Sequence, residues 1–151
     1  MNLEPIPLKP YLAKRIAATL IDYVIFSLIT GVYVWAFNEN PDSGGLRVTG
    51  AAVIPVIIMW FLYFPLTEGL SGATPGHDFM KLKVVCANGR PISFSTALKR
   101  RICDIIDLST YGVVAIILIL KTSKHQRLGD LLANTIVIRK ADFKISPKPV
   151  F

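Results

Sequence analysis

Residues 16–37 read IAATLIDYVIFSLITGVYVWAF, a run of 22 residues with a single charged side chain, Asp22. About 20 apolar residues are enough for a helix to cross the hydrocarbon core of a bilayer. The run follows two basic residues and ends with Trp35 and Phe37, which is typical of a membrane interface. It is also longer than the apolar part of a signal peptide. The stretch therefore predicts a retained transmembrane helix.

A second apolar stretch, residues 50–67, carries no charge. It predicts a second transmembrane helix, which Pro65 is expected to kink or end because proline cannot donate the next helical hydrogen bond. The linker between the two spans, residues 38–49, is short and rich in turn-forming residues. The fold class that follows is an all-α membrane protein.

Charge predicts how the chain is oriented. The chain has 17 Lys and Arg residues and 10 Asp and Glu residues, which gives a net charge of +7. Three basic residues precede the first span, one lies in the linker, six lie in residues 68–101 and seven follow residue 120. The positive-inside rule then places both termini and the 68–101 loop in the cytoplasm. Because the basic residues flank apolar segments and no nucleic-acid-binding motif is present, we expect no nucleic-acid partner.

A third segment is ambiguous. Residues 111–120 are apolar, but extending them back to a full span includes Asp104 and Asp107. At 100° per residue, residues 97–109 place their apolar side chains on one face and Arg100, Asp104 and Asp107 on the other, with Arg100 and Asp104 as an i,i+4 pair. We expect an interfacial amphipathic helix and a turn near residues 109–112. A short re-entrant helix then follows, and a full third crossing is the alternative.

Two short β-like runs, 81–85 and 135–139, flank this segment. They predict a small cytoplasmic β element if both lie on the same side of the membrane. We expect residues 1–151 to form a single membrane domain with a core of about residues 10–140. Residues 141–151, which include two prolines, are expected to be a flexible tail.

Asp22 is the sharpest polar feature, because a carboxylate inside a span costs about 2.5–3.5 kcal/mol on insertion scales. Arg15 and Thr19 lie on the same helical face, so the three form a polar stripe that must face protein or water. In one interpretation Asp22 handles protons and transient Na⁺, with oxygen ligands from Thr19 and from Asp104 or Asp107. In the other, Asp22 pairs with a basic residue of the amphipathic helix and only holds the bundle together.

The remaining polar residues predict ordinary roles. Glu68 is expected to be a solvated charge at the end of the second span. Asp130 is expected to cap a short helix at residues 131–133, with binding to a basic neighbour as the alternative. The two histidines are isolated, so no resident metal site is predicted. No hydrolase, metalloprotease, P-loop or dinucleotide motif is present, so we expect no enzyme activity, no catalytic residue and no cofactor.

Four features in order resemble the RDD family of small bacterial membrane proteins, named for one arginine and two aspartates. They are an Arg and an Asp in the first span, GATPG at 72–76, KRR at 99–101 and QRLGDLLANT at 126–135. The turn more usually continues with basic residues, whereas this chain has His77 and Asp78. The resemblance implies that Arg15 is the family arginine and Asp22 the first aspartate. The second is Asp130, with Asp107 as the rival.

The resemblance implies a place in the bacterial cytoplasmic membrane and a function in transport, with cation/proton antiport as the suggested activity. We expect a homo-oligomer, since two spans and a re-entrant helix are too few to enclose a pathway and shield Asp22. Protons and monovalent cations would be its ligands. The alternative is a structural or adaptor protein whose basic cytoplasmic face docks a partner or anionic lipid headgroups.

Overall fold

The computed structural model describes residues 8–40 and 44–142. The predicted tail at 141–151 lies outside the described residues except for its first two positions. The helices are α1 (Leu12–Ala36), α2 (Gly50–Ser71), α3 (Pro75–Phe79), α4 (Phe94–Ile102), α5 (Asp104–Ser109), α6 (Val113–Lys121) and α7 (Leu128–Leu132). The strands are β1 (Leu82–Cys86) and β2 (Thr135–Arg139), and a 3₁₀ turn follows at Lys140–Asp142.

Helices α1 and α2 are each long and apolar enough to cross a bilayer, with 25 and 22 residues. At 1.5 Å per residue they are roughly 38 and 33 Å long, against a hydrocarbon core of about 30 Å. Large apolar side chains such as Leu20, Val24 and Leu28 are exposed along α1. Such an exposed apolar surface fits contact with lipid, because most of each helix is not covered by protein. Both predicted spans are present as helices that are long and apolar enough to cross a membrane.

Helix α2 does not end at Pro65. The turn Leu62–Leu66 is π-helical, and the helix continues through Thr67–Ser71. Proline lacks the backbone N–H and its ring crowds the preceding turn, and a widened turn accommodates both effects. Of the two effects expected of Pro65, a kink or an end of the helix, the end is therefore wrong. The extra turn carries Glu68 into the protein interior, where the residue is fully buried.

The two strands pair antiparallel, with Leu82 opposite Arg139 and Cys86 opposite Thr135. The predicted β element is thus present. Its buried face packs with the start of α4 into a small apolar core. That core consists of Leu82, Val84, Ile92, Ala97 and Val137. Because β1 precedes α4–α6 and β2 follows them, the chain between the strands leaves the sheet and returns to it.

The returning segment is sharply bent. Residues 94–109 and helix α6 meet at an angle of 116°. The bend lies at Tyr111 and Gly112, which both have positive φ, and this region of backbone space suits glycine best. The predicted turn near residues 109–112 is confirmed. The polar side of α4 and α5 faces the protein, and apolar residues such as Ile105 face outward, the reverse of an amphipathic helix on a soluble protein.

Candidate functional site

A network of buried ion pairs lies where α1, α2, α4, α5 and α7 meet. Arg100 is at its centre and is fully buried. Its Nη1 donates to Glu68 Oε1 and its Nε to Asp130 Oδ1, both at 2.5 Å. Arg15 reaches the same carboxylate from α1, with its Nη2 2.6 Å from Asp130 Oδ2. One aspartate of α7 therefore joins two arginines from different helices.

The network extends through two further arginines. Arg101 binds Glu68 and also Asp104, whose Oδ2 is 2.9 Å from the Arg101 Nη1. The Nη1 of Arg127 lies 2.8 Å from Asp104 Oδ1 and 3.4 Å from Asp107 Oδ2. In all, four guanidinium groups face four carboxylates. These are Arg15, Arg100, Arg101 and Arg127 against Glu68, Asp104, Asp107 and Asp130.

The equal number of guanidinium groups and carboxylates allows these charged side chains to be buried. Ions removed from water are stable only when they are paired and hydrogen-bonded, and the loss of one partner leaves an uncompensated charge. Asp130 illustrates the effect. Burial by itself would raise its pKa, but Arg100, Arg15 and Arg127 outweigh burial and hold the pKa well below its usual range. The carboxylate is ionised at neutral pH.

Two expectations about these residues are wrong. Glu68 is not a solvated end charge, because α2 continues past Pro65 and brings the side chain against Arg100 and Arg101. Nor do Arg100 and Asp104 form an i,i+4 pair. Arg100 points to Glu68 and Asp130, while Asp104 binds Arg101 and Arg127. Arg100 therefore binds carboxylates from other helices in place of Asp104, its neighbour in sequence.

Asp130 combines both of the roles that were considered for it. Helix α7 begins at Leu128, three residues earlier than expected, with Arg127 as its N-cap. Asp130 is the third residue of the helix and accepts a hydrogen bond from the Arg127 backbone N–H at 3.1 Å. It caps the helix and binds basic neighbours at the same time, since a carboxylate can accept several hydrogen bonds.

Asp22 is the centre of a second polar cluster, which joins α1 to the GATPG turn. Its carboxylate accepts hydrogen bonds from Thr74 Oγ1 at 2.5 Å, Gly76 N at 2.7 Å and Tyr63 Oη at 3.2 Å. The Nδ1 of His77 lies 3.3 Å away. Asp22 is only 1% exposed within one chain. A second copy is therefore not needed to shield it, contrary to the reason given for an oligomer.

Glycine is required where the turn contacts α1. A Cβ atom on Gly76 would lie 2.2 Å from the Ala18 carbonyl oxygen and 2.8 Å from the Asp22 carboxyl carbon. Both contacts are shorter than any real side chain accepts, so only glycine allows this approach. The close approach positions the Gly76 N–H to donate to Asp22. The motif at 72–76 thus holds the end of α2 against the middle of α1.

His77 is buried beside Asp22. Burial lowers its pKa, and the nearby Arg101 and Arg100 add to the effect, while Asp22 opposes it. The ring is therefore neutral at pH 7, and its Nδ1 lies 2.9 Å from Thr74 Oγ1. The Thr74 hydroxyl donates to Asp22, so its oxygen can accept a hydrogen bond from the His77 Nδ1–H. The Asp22 carboxylate accepts from the same Nδ1–H. The carboxylate and the imidazole form a unit that can hold a proton.

A cavity of about 400 Å³ lies between the first half of α1 and the α5–α6 hairpin. His77 and Thr19 both line it. Most of the remaining wall is apolar, and the charged lining residues are Arg15, Asp104, Asp107 and Arg127. The cavity volume lies within the ~300–1,000 Å³ typical of ligand sites. Because His77 lines the cavity and contacts Asp22, the cavity extends to the pair formed by these two residues.

The predicted site residues are thus divided between two clusters. Asp22 binds the GATPG turn, and Arg15 and Asp130 belong to the ion-pair network. Asp104 and Asp107 also belong to that network and, like Arg15, line the cavity, whereas Thr19 lines the cavity only. Within residues 8–40 and 44–142, no group of three or more His, Cys, Asp or Glu side chains is arranged to hold a metal ion.

Several functional candidates were missed at the sequence level. Asp22 is contacted by Tyr63, Thr74 and His77, which follow it in the chain by 41, 52 and 55 positions. The GATPG motif was the available signal, because a turn with two glycines after a span indicates a close backbone approach. Its partner could not be deduced, since spacing along the chain does not reveal which residue of α1 the turn contacts.

Comparison with known proteins identifies the family. Neither curated proteins nor solved structures include a significant match to the chain. The model of the RDD family matches residues 9–134. That range includes both spans, the Asp22 cluster and all eight members of the ion-pair network. The chain is a membrane protein of the RDD family.

Proposed function

We propose that the protein exchanges protons for a monovalent cation across the bacterial cytoplasmic membrane. One observation supports this above all: Asp22 lies inside a span, is buried, and is hydrogen-bonded to His77, whose ring lines the cavity. Ionisable residues inside spans are rare and mark proton or ion pathways by default. The pair provides a proton-binding group, and the cavity provides a route to it.

The proposed exchange uses the donors around Asp22. As a carboxylate, Asp22 accepts hydrogen bonds from Thr74, Gly76 and Tyr63. Protonation removes the negative charge and weakens these bonds, so the turn at 72–76 is free to move. A cation that displaces the proton would find hard oxygen ligands in Asp22, Thr74 and Tyr63, the chemistry that Na⁺ and related ions prefer. The proton leaves through His77.

We further propose that residues 94–121 re-enter the membrane and do not cross it. The antiparallel pairing of β1 with β2 and the 116° bend before α6 support this arrangement. Both termini would then be cytoplasmic, together with the basic loop at 68–101. A homo-oligomer stays a prediction.

Proton flux in proteoliposomes tests the proposal. Purified protein would be reconstituted with a pH-sensitive dye, and Na⁺ and K⁺ gradients would be imposed in turn. We expect cation-driven proton flux in the wild-type protein and none in Asp22→Asn, because the amide cannot exchange a proton. The matched control is Asp78→Asn, which removes an exposed carboxylate close in sequence to the site. Absence of flux in reconstituted wild type, or full flux in folded Asp22→Asn, would refute the proposal.

A structural or adaptor function is the second candidate. It is favoured by the ion-pair network, in which four arginines are matched by four carboxylates. A scaffold of this kind would present exposed basic side chains to anionic lipid headgroups or to an acidic partner. Exposed examples are Lys81, Arg90, Lys99, Lys121 and Lys124. Under this function Asp22→Asn would fold and act normally, so the same variant distinguishes the two.

A further inference from the structure

The cavity beside the network has two chemically different ends. Its apolar wall comes from Ile16 and Leu20 of α1 and from Ala115 and Ile116 of α6. Tyr111, at the hairpin turn beside this wall, is 96% exposed. Helices α1 and α6 face each other here across the cavity. The apolar end therefore opens toward the surface that contacts lipid tails.

The polar end contains buried side-chain atoms that make no hydrogen bond, although the side chains that carry them are ion-paired. Arg127 Nη2 and Asp107 Oδ1 are buried, and neither has a hydrogen-bond partner among the described residues. Both residues line the cavity. Buried polar atoms are almost always satisfied, because an unmade hydrogen bond to a charged group is costly. Arg127 is a cationic donor and Asp107 is an anionic acceptor. A matching ligand therefore has an anionic acceptor for Arg127 and a cationic donor for Asp107.

Charge balance decides the net charge of that ligand. The four arginines and four carboxylates of the network cancel, and the pairs are largely buried. An anionic or a cationic ligand would add an uncompensated charge beside them, which is unfavourable in a medium of low dielectric. A zwitterion adds none. The site therefore favours a head that contains both a phosphate and an ammonium.

Depth in the membrane agrees with this chemistry. Arg15 is the fourth residue of α1, about 5 Å from the start of a helix that spans the bilayer. Polar groups at that position lie at headgroup level, and the apolar wall runs from there toward the bilayer centre. A ligand from the adjacent leaflet would place its head by Arg127 and its chains between α1 and α6.

We propose that this cavity binds a zwitterionic phospholipid with a primary ammonium headgroup. The lipid phosphate accepts from Arg127, and the ammonium donates to Asp107. The chains leave along the apolar wall formed by α1 and α6. The lipid would share this cavity with the proton route proposed above, because His77 also lines it. Lipid retention can still be tested apart from proton exchange, because Asp22 is not among the lining residues.

Lipid retention by the purified protein tests the proposal. The protein would be delipidated in detergent, incubated with phosphatidylethanolamine, phosphatidylcholine or phosphatidylglycerol in turn, and analysed by native mass spectrometry. We expect equimolar retention of phosphatidylethanolamine. Phosphatidylcholine has no N–H to donate to Asp107, and phosphatidylglycerol has no ammonium, so each should bind about tenfold or more weakly. Equal retention of all three lipids would overturn the proposal.

Two variants locate the site. Ala115→Trp fills the cavity without changing any charge, and it should reduce phosphatidylethanolamine retention about tenfold or more. Its matched control is Ile57→Trp, which adds the same ring to an exposed position on α2 and should leave retention unchanged. Asp107→Asn keeps the site's shape and should abolish the preference over phosphatidylcholine. Undiminished retention by folded Ala115→Trp would place the lipid elsewhere and refute this site.

A soluble headgroup separates a lipid site from a small-molecule site. Glycerophosphoethanolamine carries the same phosphodiester and ammonium, and hence no net charge, but it has no acyl chains. We expect it not to compete with the lipid at equal concentration, because the apolar wall contributes to binding. Competition on equal terms would mean that the apolar wall is not used, and a lipid site would then be excluded.

Discussion

Arg15 Nη2 and Asp130 Oδ2 lie 2.6 Å apart although 115 positions separate the two residues in the chain. The contact joins the first turns of α1 to helix α7. Asp130 also accepts from Arg100, which is bound to Glu68 at the end of the second span. Asp130 of α7 therefore binds α1 directly, through Arg15, and is connected to α2 through Arg100 and Glu68.

Removal of the Asp130 charge should destabilise the protein strongly. In Asp130→Asn, Arg15 and Arg100 stay buried without a full counter-charge, and breaking a buried pair in this way typically costs about 3–5 kcal/mol. The matched control is Asp78→Asn, whose carboxylate is exposed and, among the described residues, pairs with Lys140. It should cost at most about 1 kcal/mol. Thermal unfolding in detergent compares the two, and equal midpoints would contradict the structural role of Asp130.

Gly76→Ala should separate the turn from α1. Its Cβ would lie 2.2 Å from the Ala18 carbonyl oxygen, so the backbone must shift. We expect a loss of about 1–3 kcal/mol, as for overpacked interiors. Gly31→Ala is the control, because a Cβ at Gly31 of α1 meets nothing within 4 Å. That change should be neutral or stabilising by about 0.4–1 kcal/mol. Similar unfolding midpoints for both variants would argue against close packing at Gly76.

His77 should make the fold sensitive to acid. Its pKa is lowered in the folded protein, chiefly by burial, from a usual value of 6.5. Below pH 6.5 the unfolded chain binds a proton at this position that the folded chain does not, so stability falls as the pH decreases. The slope contributed by one group is at most about 1.4 kcal/mol per pH unit.

The control for this pH effect is His77→Asn, which keeps a hydrogen-bond donor near Asp22 but does not titrate. Unfolding midpoints would be measured at pH 7.5, 6.5 and 5.5. We expect the wild-type midpoint to fall more steeply than that of the variant. Parallel curves would mean that His77 takes up its proton equally well in the folded and unfolded chains.

Thiol labelling tests the re-entrant segment. In a chain with Cys86 and Cys103 replaced by serine and alanine, single cysteines would be introduced at Ser123 and, as an external control, at Leu46 in the linker between the spans. A membrane-impermeant reagent added to intact cells should label Leu46→Cys and leave Ser123→Cys unmodified until the cells are opened. Labelling of Ser123→Cys from outside would instead support a complete third crossing.

The amino-acid sequence by itself determined the local features of this protein. Apolar length predicts α1 and α2, because the transfer of side chains to lipid depends on composition and hardly on partners. The turn before α6 and the two short strands follow from local pattern in the same way. Asp22 was recognisable as unusual because a charge inside a span is costly wherever the helix packs.

Only the tertiary structure decided which charges meet. Glu68 and Arg100 are 32 positions apart, and Asp22 and Gly76 are 54 apart. Hydropathy and periodicity carry no information on such distant pairs, because each helix presents several polar groups and packing selects among them. Packing also outweighed local sequence patterns. Arg100 does not bind its i,i+4 neighbour Asp104, and Glu68 is buried. The reason is that a fully paired network is the arrangement in which eight charges can leave water together.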